Sequence, residues 1–312
     1  MRKIFKILLL IFFCIGYIFS SGKSLGMGGA YTGISDDIDA LKYNIGGLGQ
    51  LRSTMFDFSY ELPFESIDGL NVKSISLVSP FLVKIFANLV LGINYQITEV
   101  PGFYKKDYFN VGIGLDFNYF SFIPRIISPM YFGMKFSVTS ENFLYNDNGI
   151  IDGLLDSKSI KDMTFSPGIM MTVMKLIKIG FYSEIKTDNS FITKSSNSYI
   201  VTYNVGASYN YKFKSILDIN TDLDFSLLSN MYLLKYGLNI DVSIISLRSG
   251  IIFNHEKYLT FTFGGGLNLS FNNYKIKLDL GMLYNLKSSI TGNNLQNKFI
   301  SLGVDIPFNY EK

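Results

Sequence analysis

From about residue 51 to the C-terminus, apolar and polar residues alternate one by one over segments of about ten. Phe109, Val111, Ile113, Leu115, Phe117 and Tyr119 stand against Asn110, Gly112, Gly114, Asp116 and Asn118. Tyr199, Val201, Tyr203, Val205, Ala207, Tyr209 and Tyr211 stand against Thr202, Asn204, Gly206, Ser208 and Asn210. A period of two makes a β-strand with two chemically different faces, and about ten tilted residues span a bilayer's hydrocarbon. The same template predicts fourteen strands, starting near Leu51, Asn71, Ile85, Lys106, Ser128, Lys161, Leu176, Tyr199, Ile216, Tyr232, Ile244, Tyr258, Asn273 and Asn297. Charges fall in the polar phase, among them Asp57, Lys135, Glu184, Asp222, Asp224, Lys235, Arg248 and Asp279. The second strand is the weakest, because Lys73 shares a face with Ile75 and Leu77. A Lys or Arg facing lipid near the midplane costs ~2–4 kcal/mol, which explains why the faces are otherwise kept apart. The expected fold class is all-β: a transmembrane antiparallel β-barrel of about 14 strands.

Connection lengths support this reading. With both termini on one side, the even connections are mostly tight, such as Met174-Lys175 and Lys212 to Ser215, while Glu141 to Ile160 and Thr187 to Ser198 are long. Bacterial barrels have short periplasmic turns and longer extracellular loops. Phe120 to Ile127 is a longer even connection that breaks the trend.

The N-terminus adds a compartment. Arg2, Lys3 and Lys6 precede the apolar run Ile7 to Phe19, and Ser20, Ser21 and Gly22 follow. A basic stretch, a short apolar run and small residues form an export signal, and the run is shorter than the ~20 residues of a spanning helix. Residues 1–21 are therefore expected to be a cleaved signal peptide. The one Cys, Cys14, lies within it and follows Phe12 and Phe13, which do not suit lipidation.

Composition narrows the chemistry. The 312 residues are 48% hydrophobic and 17% charged; without the three N-terminal bases, 25 charges of each sign remain. A neutral chain gives no electrostatic case for nucleic acid. One His and one Cys leave no Cys/His metal cluster, no metal or cofactor is expected, and nothing pairs a nucleophile with a base, so an enzyme is not expected. Trp is absent, but the 21 Tyr can supply interfacial girdles, with Tyr60, Tyr119, Tyr199, Tyr211, Tyr258, Tyr274 and Tyr284 near strand ends. Asp218, Asn220, Asp222 and Asp224 alternate on one strand face, a spacing that lines a lumen rather than encircling Ca²⁺; pairing with Lys235, Arg248, Lys275 or Lys277 is expected. His255 is placed at a solvated loop tip. Ile150, Ile151, Leu154 and Leu155 in the long fifth connection suggest an amphipathic helical piece, read either as a capture groove or as an ordinary capping loop.

Two motifs remain. Ser301-Leu302-Gly303-Val304-Asp305-Ile306-Pro307-Phe308 resembles the terminal assembly signal of outer-membrane proteins through Gly303, Ile306 and Phe308, which implies the barrel assembly machinery as a partner. Near the N-terminus, Gly26, Gly28, Gly29, Ala30, Tyr31, Asp36, Asp37, Ala40, Asn44, Gly47 and Leu48 are in register with the start of mature FadL/TodX-type transporters of long-chain fatty acids and hydrocarbons, a superfamily that includes PorV-like relatives. The chain resembles that superfamily over about 30 residues; Asn44-Ile45-Gly46 departs from its Asn-Pro-Ala core. On the residues alone, the small side chains permit close packing, and Ser35, Asp36 and Asp37 suit the N-cap of a short helix through Leu41. The resemblance implies that residues 22–50 are a hatch inside a barrel of residues 51–312. It also implies passive uptake of hydrophobic small molecules such as long-chain fatty acids across the cell outer membrane, in contact with its lipid. The alternatives are a PorV-like scaffold for secreted proteins, with secretion components as partners, or a general porin.

Overall fold

The computed structural model describes residues 22–63, 69–83, 86–118, 124–143, 159–188, 198–213, 216–228, 231–255, 259–271, 274–285 and 296–307. The expected signal peptide, the apolar fifth-connection residues Ile150, Ile151, Leu154 and Leu155, and Phe308 lie outside them.

Fourteen strands form one closed antiparallel barrel. They are β1 (Ser53–Leu62), β2 (Asn71–Val83), β3 (Phe86–Val100), β4 (Tyr104–Asp116), β5 (Met130–Phe143), β6 (Ser159–Val173) and β7 (Ile177–Asp188), then β8 (Ser198–Phe213), β9 (Leu217–Leu228), β10 (Met231–Val242), β11 (Ile245–Asn254), β12 (Leu259–Phe271), β13 (Tyr274–Asn285) and β14 (Gln296–Pro307). Every start is within two residues of the position set by alternation. Each strand pairs with its sequence neighbours, and β14 returns to β1 from Ser53↔Pro307 to Leu62↔Lys298. Closure pairs every strand on both sides, as lipid requires. Pro307, which has no N–H to donate, falls at the last pair of this seam.

The wall is apolar outside and polar inside. Ile75, Leu77, Ile93, Val111, Phe136, Phe165, Leu223, Phe225, Leu247, Phe263 and Leu280 are exposed on the outer face, while Ser76, Asn94, Asn110, Ser137, Thr164, Asp222, Asp224, Asn239, Thr262 and Asp279 are buried. A soluble sandwich has the opposite arrangement. Moving an exposed Leu- or Phe-sized side chain from water into hydrocarbon gains roughly 1.5–3 kcal/mol, so this surface has its free-energy minimum in a membrane.

We call the end where β1 begins and β14 finishes the terminal rim, and the opposite end the far rim. At the terminal rim the described part of the fourth connection includes a 3₁₀ turn, Arg125–Ile127. The two buried apolar clusters among the described residues both involve the N-terminal segment. One joins Ala40, Leu41, Ile45, Leu48 and Leu51 to the wall residues Met55, Val78, Val90 and Tyr182; the other is Met27, Tyr31 and Ile34.

Candidate functional site

Residues 22–51 follow the inner wall strand by strand. Gly22 lies on Asp279 of β13, and Gly26 on Arg248 of β11 and Gly264 of β12. Met27 and Gly28 lie on Gly250 of β11, and Met27 also on Gly237 of β10. Thr32 and Gly33 reach Gly180 of β7 and Gly206 of β8. Asn44, Ile45 and Gly46 cross Gly168 of β6 and Gly133 of β5, and Leu48 and Gly49 end on Gly114 of β4. Many of these wall glycines face one another across the ladder: Gly114↔Gly133, Gly133↔Gly168, Gly180↔Gly206 and Gly237↔Gly250. Strand glycines sacrifice packing and entropy, and their usual reason is a second backbone passing close by. Here that backbone is the chain's own N-terminus. A Cβ on Gly168 would stand 2.5 Å from Asn44 Oδ1, and one on Gly237 2.7 Å from the Met27 carbonyl oxygen.

Hydrogen bonds fix the track in register. The Asp224 carboxylate accepts the backbone N–H groups of Tyr31 and Thr32, each at 2.8 Å. Asp222 accepts those of Gly33 and Ile34 at 3.1 and 3.2 Å. Four consecutive amides therefore end on two carboxyl groups spaced by one residue of β9. The second oxygens press against glycines, Asp224 Oδ1 at Gly206 and Asp222 Oδ1 at Gly33. Thr262 donates to the Gly26 carbonyl at 2.8 Å and Ser208 to that of Gly33 at 2.9 Å. Asn44 donates to the carbonyls of Thr32 (3.0 Å) and Ile169 (3.1 Å) and accepts from Gly46 N–H (3.0 Å). Gln50 donates to the carbonyls of Ile34 and Ser35 and accepts from Lys178.

An ionic knot sits toward the terminal rim. Lys23 pairs with Asp36 at 2.6 Å, Tyr31 donates its hydroxyl to the same oxygen, and Ser24 donates to Asp39. Burial works against both charges of the Lys23–Asp36 pair, but mutual attraction wins: Lys23 is held above and Asp36 well below the ordinary value. Asp37 is pushed up to about 6 by burial and by the neighbouring Asp39 carboxylate. Burial, then Asp36, also raises the Tyr31 phenol.

Above the segment, toward the far rim, lies a cavity of about 440 Å³. Thr32, Lys42 and Tyr43 border it from the segment; Tyr182, Glu184, Asn204, Ser226, Leu228, Met231, Leu233 and Lys235 border it from β7–β10, and His255 stands at its mouth. Glu184 is neutralised by buried Lys135 at 3.1 Å and accepts the Tyr182 hydroxyl. Lys235 makes no hydrogen bond or ion pair among the described residues, and Ser226 Oγ is buried without a partner. The cavity joins the apolar side chains of Leu228, Met231 and Leu233 to the ammonium groups of Lys235 and Lys42.

No protein-family model matches the chain, and no curated protein matches it in sequence. Solved structures do. The Ralstonia pickettii toluene transporter TbuX superposes with a TM-score of 0.60 at 11% identity, over 95% of this chain and 100% of that one. The Pseudomonas putida toluene transporter TodX gives 0.58 at 11%, over 94% and 99%. A Pseudomonas aeruginosa FadL homologue gives 0.54 at 10%, over 94% and 100%. The fold is FadL-like.

In this FadL-like barrel, the motif residues do different work from one another. Gly26, Gly28, Gly29 and Ala30 make the close approach to β10–β12, with Gly28 and Gly29 at φ +70° and +69°, where an L side chain is strained. Asp36 and Asp37 do not cap the short helix. That helix is Ala40–Tyr43; Asp39 holds the capping position without a side-chain bond, and Asp37 accepts the Asp39 N–H. Asp36 is taken by Lys23, and Gly47 packs on Ser35. Asp222 and Asp224 do not pair with lysines; backbone amides of the N-terminal segment occupy them instead, while Asp218 pairs with Lys212 and Arg248 with Asp279. His255 borders the cavity with its ring against Tyr232 instead of standing alone. Sequence reasoning missed the glycine track, although its signal, glycines in the polar phase of nearly every strand, was present.

Proposed function

We propose that this chain is an outer-membrane channel for passive uptake of hydrophobic small molecules, with residues 22–50 as its hatch and the far rim facing outside. The observation that carries this reading is the N-terminal segment seated across a closed barrel beneath a cavity. A barrel meant only for small polar solutes needs no such obstruction. The cavity suits an amphiphile such as a long-chain fatty acid: Leu228, Met231 and Leu233 for the chain, Lys235 and Lys42 for a carboxylate. The structural relatives named as toluene transporters support a hydrophobic cargo class. Gly303 pairs with Asp57 of β1 and Lys277 of β13, and Ile306 with Thr54, so these two residues of the motif border the seam that the barrel assembly machinery would have to close.

Uptake of labelled oleate and toluene by cells with and without the gene tests the proposal. Uptake of at least one should fall on deletion, and Lys235→Met should impair oleate and spare toluene. Unchanged uptake of both, with a secretion component co-purifying, would instead select the scaffold reading.

A further inference from the structure

Outward-facing charge is confined to one sector of the barrel. On the described strands every outward charged residue lies between β14 and β6: Lys298, Lys73, Glu99, Lys105, Asp107 and Lys161. All six lie toward the far rim. The ladder aligns them. Tyr60↔Lys73, Lys73↔Ile97, Ile97↔Asp107, Asp107↔Ser140 and Ser140↔Lys161 form one continuous row across six strands. One step nearer the rim, Glu99↔Lys105 begins a second. One step below, the row Phe58, Ile75, Tyr95, Phe109, Val138 and Met163 carries no charge. On β7–β13 the far-rim outward positions are neutral, such as Thr187, Tyr199, Tyr232 and Tyr284.

We infer that this sector binds the phosphate groups of an outer-leaflet lipid, with its acyl chains running down the apolar rows beneath. Among the described outward strand positions, four lysines stand beside two carboxylates. Lys73 and Lys105 keep 53% and 41% of their side-chain surface exposed despite the ion pairs Lys73–Glu99 and Lys105–Asp107. The Tyr95 hydroxyl ties down Asp107 from below. The lysines thus keep exposed donors at headgroup level despite these pairs, and a phosphate oxygen is the strong acceptor available there. The cost of an outward lysine falls to about 0–1 kcal/mol near the interface, so the position is tolerated, yet half of the circumference does without it. A merely tolerated charge would scatter; this one is gathered.

The inference rests on the orientation proposed above, and its test reads lipid retention by the purified full-length protein, so it can fail while uptake stands. Protein in neutral detergent is given an equimolar mixture of lipid A and phosphatidylcholine, and retained lipid is quantified. The wild type should enrich lipid A. The triple variant K73Q/K105Q/K161Q should lose on the order of tenfold or more of that enrichment with phosphatidylcholine unchanged. E99Q/D107Q should retain lipid A at least as well as the wild type, whereas a purely structural role for the ion pairs predicts loss in both variants. Equal retention by wild type and triple variant, loss in both variants, or a protein partner captured through these lysines without lipid A preference would overturn the inference. So would inorganic phosphate displacing bound lipid A completely, because that would assign a free anion.

Discussion

Asp224 accepts the Thr32 amide at 2.8 Å across 192 residues of sequence, and this bond with its three neighbours holds the N-terminal segment to β9. A hydrogen bond of this kind contributes about 0.5–1.5 kcal/mol. Replacing Asp224 and Asp222 by Asn keeps the shape, weakens four acceptor bonds and sets an NH₂ against either the amides or the glycine wall. The double variant should fold as a barrel with a loosened segment. Hydrogen exchange at Tyr31 to Ile34 should speed up by on the order of tenfold or more, and single-channel openings should become more frequent in planar bilayers. Unchanged exchange at those amides would refute the seat.

Gly180 and Gly168 test the track itself. A Cβ at Gly180 would collide with the Thr32 carbonyl oxygen, and one at Gly168 would stand 2.5 Å from Asn44 Oδ1. Backbone cannot step aside as a long side chain can, so Gly180→Val and Gly168→Val should each destabilise seating by about 1–3 kcal/mol. Proteolysis should then release residues 22–50 while heat-modifiable mobility on gels shows the barrel intact. Gly265, where a Cβ would meet only the Ser246 carbonyl oxygen at an ordinary 3.8 Å, is the control, with Val as the replacement.

The outer face predicts an asymmetry. Leu223→Arg on β9 faces lipid from a side chain 50% exposed and should cost ~2–4 kcal/mol in urea titration of the protein refolded into liposomes. Lys73→Leu, at the charged row, should change stability by less than about 1 kcal/mol. Equal effects would mean that the membrane boundary has been misplaced.

Segment retention should depend on pH through the ionic knot. Asp37, raised to about 6, favours the seated state when protonated, so its contribution is present at low pH and fades as pH rises through about 6. Asp36 is shifted the other way: its contribution is present above the ordinary carboxylate pKa of about 4 and disappears as pH falls toward its own depressed value. The segment should therefore be hardest to release near pH 4, with retention falling as pH rises from about 4 to about 6. Protease release at about pH 5 and about pH 7 measures this, and Asp37→Asn should flatten the upper arm. An unchanged upper arm in that variant would assign the dependence elsewhere.

Strand number, strand starts and the apolar outer face were legible because hydrocarbon contacts every second residue and nothing else. The same periodicity hid the seat. Asp222 and Asp224 carry the polar phase of an ordinary lumen strand, and charge balance pointed to lysines on nearby strands. The partners are backbone amides, which have no side-chain signature and lie about 190 residues away. Gly206 and Gly180 read as small polar-phase residues, because a glycine's neighbour cannot be inferred from a glycine.

Alternation by itself thus determined that the chain closes into a two-faced wall, since the solvents on the two sides differ and the pleat sorts side chains between them. The tertiary structure alone decided which inward residues meet the N-terminal segment and which border the cavity. It also placed Lys73, Asp107 and Lys161 in one row, because ladder register and barrel closure bring together residues that sequence keeps tens of positions apart.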